Sequence, residues 1–316
     1  MDSTLLYKRH KHVKLIFNPL SGKSKESSVQ LMDVIKEMQS LMIIPEPFLI
    51  EPGCDLDDVV KDSVAKGYRM IIACGGDGTI SSVARSIVNT NANVTLGVIP
   101  TGTRNNVALS LGIPADISAA IALLRTGRRL KFDIGLCKCK EAKTPFIEVC
   151  SIGLFSKLFS AGDDIQHGKI MRIGDFIETF VTTPPSEIRL TLDDKREVNQ
   201  LGHVVLISNT PYVGINNKVS SPNCFRDGYL DVLVLANQSK TDLIGNVLKG
   251  SLTNHQEDPR IQHYRVRKVT VDTKPAMTVM ADSVTIGEGF VLIEVQKHAL
   301  TVMSPSLAAK GESLEN

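Results

Sequence analysis

A short apolar run, three glycines around one acid, and then a helical repeat constrain the first half of this chain more than any other feature. Arg69-Met70-Ile71-Ile72-Ala73 reads as a buried parallel strand. Cys74-Gly75-Gly76-Asp77-Gly78-Thr79 interrupts it, after which Ile80, Val83, Ala84 and Ile87 recur at helical spacing. Glycines let a backbone approach a bulky anion with no Cβ in the way, and the N–H groups of a helix start point at it. Asp77 would repel a bare phosphate, so its presence suggests a cation, most simply Mg2+, between carboxylate and phosphate. A tight strand–helix turn capped by an acid would use the same residues.

Two more turns of this kind occur. The strand Val94–Ile99 runs into Pro100-Thr101-Gly102-Thr103-Arg104-Asn105-Asn106, and the strand Lys14–Phe17 runs into Asn18-Pro19-Leu20-Ser21-Gly22-Lys23-Ser24. Gly22-Lys23-Ser24 imitates the end of a P-loop, but Phe17 stands where the first glycine belongs. The dinucleotide fingerprint fails as well, because Ser81 follows Gly76 and Gly78 where a third glycine is needed. What remains is three strand-to-helix turns converging on the carboxyl edge of one sheet, where such sheets bind ligands.

Strands near 13–17, 47–50, 69–73 and 94–99 alternate with helices near 26–41, 55–66, 79–89, 104–111 and 116–126. That order predicts a parallel sheet with helices on both faces. From Lys131 the character changes to strands: 132–139, 146–151, 187–192, 203–208, 230–235, 266–271, 277–280 and 291–295. A helical insertion is expected over 154–182, bearing Phe155, Phe159, Phe176 and Phe180, and another helix from Ser239. The reading is therefore an α/β N-terminal domain with a parallel sheet plus a β-rich antiparallel C-terminal domain. The boundary is set at 1–132 with the tail 301–316, and 133–300.

Composition narrows the function. The 316 residues, 42% of them hydrophobic, can bury substantial cores for about two domains, and a net charge of +2 compels no nucleic-acid partner. No apolar run approaches 18 residues, and the polar N-terminus lacks a signal-peptide core. The run Lys8-Arg9-His10-Lys11-His12 reads as a solvated tail or a weak contact to anionic lipid. Six cysteines without a CxxC pair read as reduced, mostly buried thiols of a cytoplasmic protein; Cys137 and Cys139 share a strand face but lack partners for zinc.

The three turns, in order, closely resemble the diacylglycerol kinase catalytic family, which includes bacterial lipid kinases and the sphingosine and ceramide kinases. Asn18-Pro19-x-Ser21-Gly22, Gly75-Gly76-Asp77-Gly78-Thr79 and Gly97-x-Ile99-Pro100-x-Gly102-Thr103-x-Asn105-Asn106 carry the resemblance. Leu111-Gly112-Ile113-Pro114 and the later Asp227-Gly228-Tyr229-Leu230-Asp231 extend it over almost the whole chain. The GGDG element alone is shared with NAD kinases and is similar in phosphofructokinases, so the resemblance implies a first domain of that kind.

The resemblance implies ATP as the donor, held by Asn18, Pro19, Ser21, Gly22, Gly75, Gly76, Asp77, Gly78, Thr79, Ile80, Ser81, Gly102, Thr103 and Asn105. Asp77 would bind or orient Mg2+, or join a water network to the acceptor. A second, structural Mg2+ is implied at Asp227 through its carboxylate, with Cys224 and Tyr229 through carbonyls. The family's catalytic Glu falls at Val284, which accepts no proton; Asp282, expected on the same strand face, is the substitute base. Asn106 stands where many relatives carry Asp. The implied activity is transfer of a γ-phosphate to a hydroxyl of a membrane lipid of diacylglycerol, phosphatidylglycerol or sphingoid type. The enzyme would be cytoplasmic and meet its lipid by transient peripheral association, with room for a homodimer. The rivals are a nucleotide- or lipid-binding pseudokinase, favoured by Val284, and an NAD kinase.

Overall fold

In the computed structural model the described residues are 10–21, 27–153, 184–213, 217–236, 261–282 and 284–305. The expected helical insertion over 154–182, the helix from Ser239, and Gly22 with Lys23 lie outside them. Contacts divide the chain into two compact units, Met1–Lys131 with Thr301–Asn316, and Phe132–Leu300.

The first unit is built on β1 (Lys11–Phe17), whose last five residues are buried. Strands β2 (Ile43–Leu49), β3 (Met70–Gly75) and β4 (Thr95–Pro100) join it in parallel. The order is β2-β1-β3-β4, closed beyond β4 by Thr301 and Val302 of the last described strand. β3 and β4 are buried throughout, as strands covered on both faces must be. α1 (Ser27–Ser40) and α5 (Ile117–Thr126) pack on one face, where Val34, Met38, Ile121 and Leu124 meet Val13, Leu15, Phe17, Met70, Ile72 and Cys74. α3 (Asp77–Asn89) packs on β3 and against α2 (Leu56–Ala65), and α4 (Asn106–Ser110) packs on α3. Because β2 and β3 flank β1 on opposite sides, the sheet reverses its winding between β1 and β3, and their carboxyl ends frame the crevice where α/β sheets take ligands.

β2 begins earlier than the sequence suggests, because Pro45 and Pro47 obscure it. Both pair with β1 (Val13↔Pro45, Leu15↔Pro47) from the sheet's edge, where a missing N–H is tolerated.

The second unit is antiparallel. Its strands are β5 (Arg128–Cys139, whose first residues belong to the first unit), β6 (Ala142–Phe146), β7 (Val149–Gly153), β8 (Ser186–Leu192), β9 (Arg196–Ser208), the short β10 (Tyr212–Val213) and β11 (Asn217–Lys218), β12 (Leu230–Ala236), β13 (Ile261–Val266), β14 (Lys268–Lys274), β15 (Thr278–Ala281), β16 (Val284–Glu288) and β17 (Val291–Ser304, whose last residues belong to the first unit). The long β9 organises it, pairing with β8 along its first half and with β7 and β12 along its second. Ile188, Leu190 and Leu192 alternate inward while Glu187 and Arg189 stay exposed, the half-buried pattern read from sequence. The strand expected over 266–271 is β14, and a further strand, β13, precedes it and breaks at Arg267.

Candidate functional site

The three turns at the carboxyl ends of β1, β3 and β4 are bound to one another. Asn18 donates its backbone N–H to the carbonyl of Cys74 (3.1 Å), and Thr101 donates to that of Gly75 (3.0 Å). The Asn18 amide donates to Thr79 Oγ1 (2.8 Å), and the Ser21 and Thr101 hydroxyls lie 3.0 Å apart. Thr101, in the quoted third motif but unassigned there, thus ties the first turn to the third. Its place between Pro100 and Gly102 was the available signal.

The glycines have a more specific reason than anion access. A Cβ on Gly102 would lie 2.4 Å from Gly76 Cα, and one on Gly75 would lie 2.5 Å from Thr79 Cβ. The second and third turns touch backbone to backbone. Gly76 is the N-cap of α3 and supplies no side-chain cap, so the helix start is left for other acceptors.

Asp77 does something that sequence spacing could not reveal. Its two carboxylate oxygens accept the N–H groups of Asn106 and Val107 (3.0 Å each) and so cap α4 from 29 and 30 residues away. Asn105, left-handed at φ 54°, ends the preceding loop by bonding Gly102 in both directions, accepting its N–H (3.0 Å) and donating to its carbonyl (2.8 Å). Asp77 is therefore half-buried and integral to the third turn, not a bare surface acid.

The remaining expected nucleotide contacts divide. Gly78 and Thr103 are exposed, Pro19 and Asn18 half-exposed. Ile80 is 0% exposed and its N–H bonds the Gly76 carbonyl, so its side chain belongs to the core under α3 and not to a ligand surface. The Ser81 hydroxyl is buried and has no hydrogen-bond partner among the described residues, an orphan of the sort an adjoining ligand or water satisfies. Burial pushes the Cys74 thiol up to about 12, which removes it as a nucleophile beside these turns.

In the second unit two expectations need correction. Asp282 does not share a strand face with Val284, because it sits at φ 49° in the turn after β15. Its carboxylate accepts the N–H groups of Ile147, Glu148 and Val149 (3.0, 3.0 and 3.1 Å), pinning the β6–β7 connection. It faces backbone rather than a substrate hydroxyl. Val284 is 40% exposed on β16.

The donor set at Cys224, Asp227 and Tyr229 does not fit a divalent cation. Asp227 accepts the N–H of Tyr229 (2.9 Å) with one oxygen and the Arg265 guanidinium with the other. The guanidiniums of Arg265 and Arg267 lie 4.8 and 5.0 Å from the centre of the Tyr229 ring, so positive charge already occupies the turn. The Cys224 carbonyl, one of the expected oxygen ligands, accepts the Asp227 N–H (3.3 Å) and so closes the turn on itself. An arginine on the neighbouring β13 was invisible from Asp227-Gly228-Tyr229 alone.

The family model of the diacylglycerol kinase catalytic domain matches residues 12–137, and that of the YegS C-terminal NAD kinase beta sandwich-like domain matches residues 173–304. A diacylglycerol kinase of Staphylococcus saprophyticus is 25% identical over 281 residues, covering 86% of this chain and 88% of the relative. One from Bacillus subtilis is 25% identical over 276 residues, covering 86% and 89%. The crystal structure of a diacylglycerol kinase from Bacillus anthracis matches with a TM-score of 0.69 at 18% identity, covering 94% of this chain and 97% of that one.

Proposed function

We propose that the chain is a lipid kinase of the diacylglycerol kinase catalytic family and transfers the γ-phosphate of ATP to a hydroxyl of a membrane lipid. The observation that carries this reading is the mutual bonding of the three turns at the β1–β3 switch, with Gly102 packed too closely on Gly76 for any side chain and the α3 start uncapped. In the proposal the phosphates lie against Asn18, Ser21, Gly75 to Thr79, Gly102, Thr103 and Asn105, and the buried Ser81 hydroxyl gains the partner it lacks. Bound Mg2+ would supply positive charge to the phosphate oxygens, and Asp77 is the carboxylate assigned to it. A carboxylate offers about four acceptor positions, so capping α4 is compatible with that role.

Phosphoryl transfer through a loose transition state depends on positioning and charge more than on covalent help from the protein. The loss of the family's Glu at 284 therefore weakens the case for a rapid reaction without removing the binding machinery. The acceptor's chemistry is that of a diacylglycerol, phosphatidylglycerol or sphingoid hydroxyl. Among the described residues no helix is long and apolar enough to cross a membrane, and peripheral contact with the bilayer is part of the proposal.

A second reading is favoured by one pair of facts: Val284 replaces the proton acceptor, and Asp282 is bonded to three backbone amides. It is a pseudokinase that binds nucleotide without transfer. ATP labelled in its γ-phosphate, offered with a lipid-extract panel and with NAD, separates the readings. Labelled lipid supports the kinase, labelled NADP indicates an NAD kinase, and neither product despite nucleotide binding indicates the pseudokinase.

A further inference from the structure

The opposite edge of the first unit's sheet carries a different feature. A depression of about 440 Å³ opens at the amino ends of β3 and β4, lined by Arg69, Asn93, Thr95, Arg129, Lys131 and Thr301 among others. Three of these six are cations and none is an acid. Strand β3 is six residues long, so the depression lies roughly 20 Å from the glycine turns at its other end. The volume falls within the usual range for small-ligand sites, roughly 300–1,000 Å³.

The cations are gathered without local compensation. Among the described residues, none of Arg69, Arg129 and Lys131 forms an ion pair, whereas Lys14, Lys66 and Lys138 elsewhere each meet an acid. Lys131 Nζ donates to Thr301 Oγ1 (3.0 Å), which holds its charge against the wall of the depression. Further positive charge stands close by. Lys11 at the start of β1 has its pKa pushed down, by burial first and then by Arg129 and Arg125. Some of this charge serves the carboxyl end of α5: Lys11 Nζ donates to the Leu124 carbonyl, and Arg125 and Arg129 flank the helix end. That explanation does not reach Arg69 or Lys131, which come from the starts of β3 and β5.

We propose that this depression is a binding site for a phosphate-bearing anion, separate from the nucleotide turns. Two guanidiniums can each offer a planar pair of donors to phosphate oxygens, Lys131 supplies a point charge, and the Thr95 and Thr301 hydroxyls complete a polar wall. Two sources present this chemistry, a phospholipid headgroup at the bilayer surface and a free phosphate compound. The site does not depend on the kinase reading.

The test uses the full chain and the double substitution Arg69→Gln/Arg129→Gln, both side chains being exposed. Pyrophosphate is titrated calorimetrically at low salt, and co-sedimentation is measured with phosphatidylcholine vesicles with and without phosphatidic acid. The expected result is binding in at least one arm, weakened roughly tenfold or more in the double variant, with melting temperature and ATP affinity unchanged. Pyrophosphate alone identifies a soluble ligand, and vesicles alone identify a headgroup. Absence of binding in both arms overturns the proposal. So does binding that survives the double substitution, including pyrophosphate binding lost instead in Gly102→Ala, which would return the anion to the glycine turns.

Discussion

Replacing Asp77 tests how far its carboxylate is part of the architecture. Two oxygens each accept one backbone N–H at the start of α4, and α4 follows directly on the third glycine turn. Asp77→Ala strands both donors. A capping loss is typically about 0.5–2 kcal/mol, and hydrogen bonds to charged groups contribute about 1.5–3 kcal/mol each when buried. Because Asp77 is only half-buried and water can replace part of the loss, about 2 kcal/mol in total is expected. At about 2–4 °C per kcal/mol, that is a fall of about 4–8 °C in melting temperature. Asp77→Asn keeps one acceptor oxygen and should lose about half as much. Scanning calorimetry of the nucleotide-free variants provides the measurement. If Asp77→Ala melted within a degree or so of the parent, the cap would be energetically idle and the reasoning wrong.

Three further outcomes follow from named contacts. Glu46 is held down to about 2 from its ordinary 4.5, chiefly by its hydrogen bond from Lys14 and then by that from Tyr68. With the folded carboxyl titrating below the unfolded one, its contribution is complete above about 4.5 and drains away as pH falls towards 2. Because the carboxylate is 40% exposed, solvent screening leaves about 1 kcal/mol. Glu46→Gln should be less stable than the parent by about that amount at pH 7, the gap closing through this window in urea titrations; a gap independent of pH would refute the linkage. Nucleotide-free protein should melt alike in EDTA and in Mg2+, since Arg265 already neutralises Asp227, whereas a Mg2+-dependent rise removed by Asp227→Asn would reinstate a metal there. Val284→Glu should fold as the parent does, the position being 40% exposed, and should preserve or raise phosphoryl transfer; a lost fold would contradict the exposure.

How much of this was legible beforehand depends on the range of the interaction. The parallel sheet, its helices and the three turns were readable because strand period, helix period and glycine clusters are local signals. β2 was curtailed because two prolines speak against a strand unless its edge position is known. β13 was missed up to Val266 because Gln262, His263 and Arg265 dilute its apolar signal, and the strand read over 266–271 is essentially β14. Asp282 was misplaced for a different reason: strand alternation was carried through a position where the backbone turns left-handed. The partners of Asp77 and Asp227 lie about 30 and 38 residues distant, so no spacing rule could supply them.

Isothermal calorimetry of ATP with Mg2+ on the folded chain, repeated with Gly102→Ala, tests the central claim most directly. The account predicts saturable, near-stoichiometric binding that is lost or much weakened when a Cβ is forced between the second and third turns. No affinity for any purine triphosphate, or binding indifferent to that substitution, would contradict it.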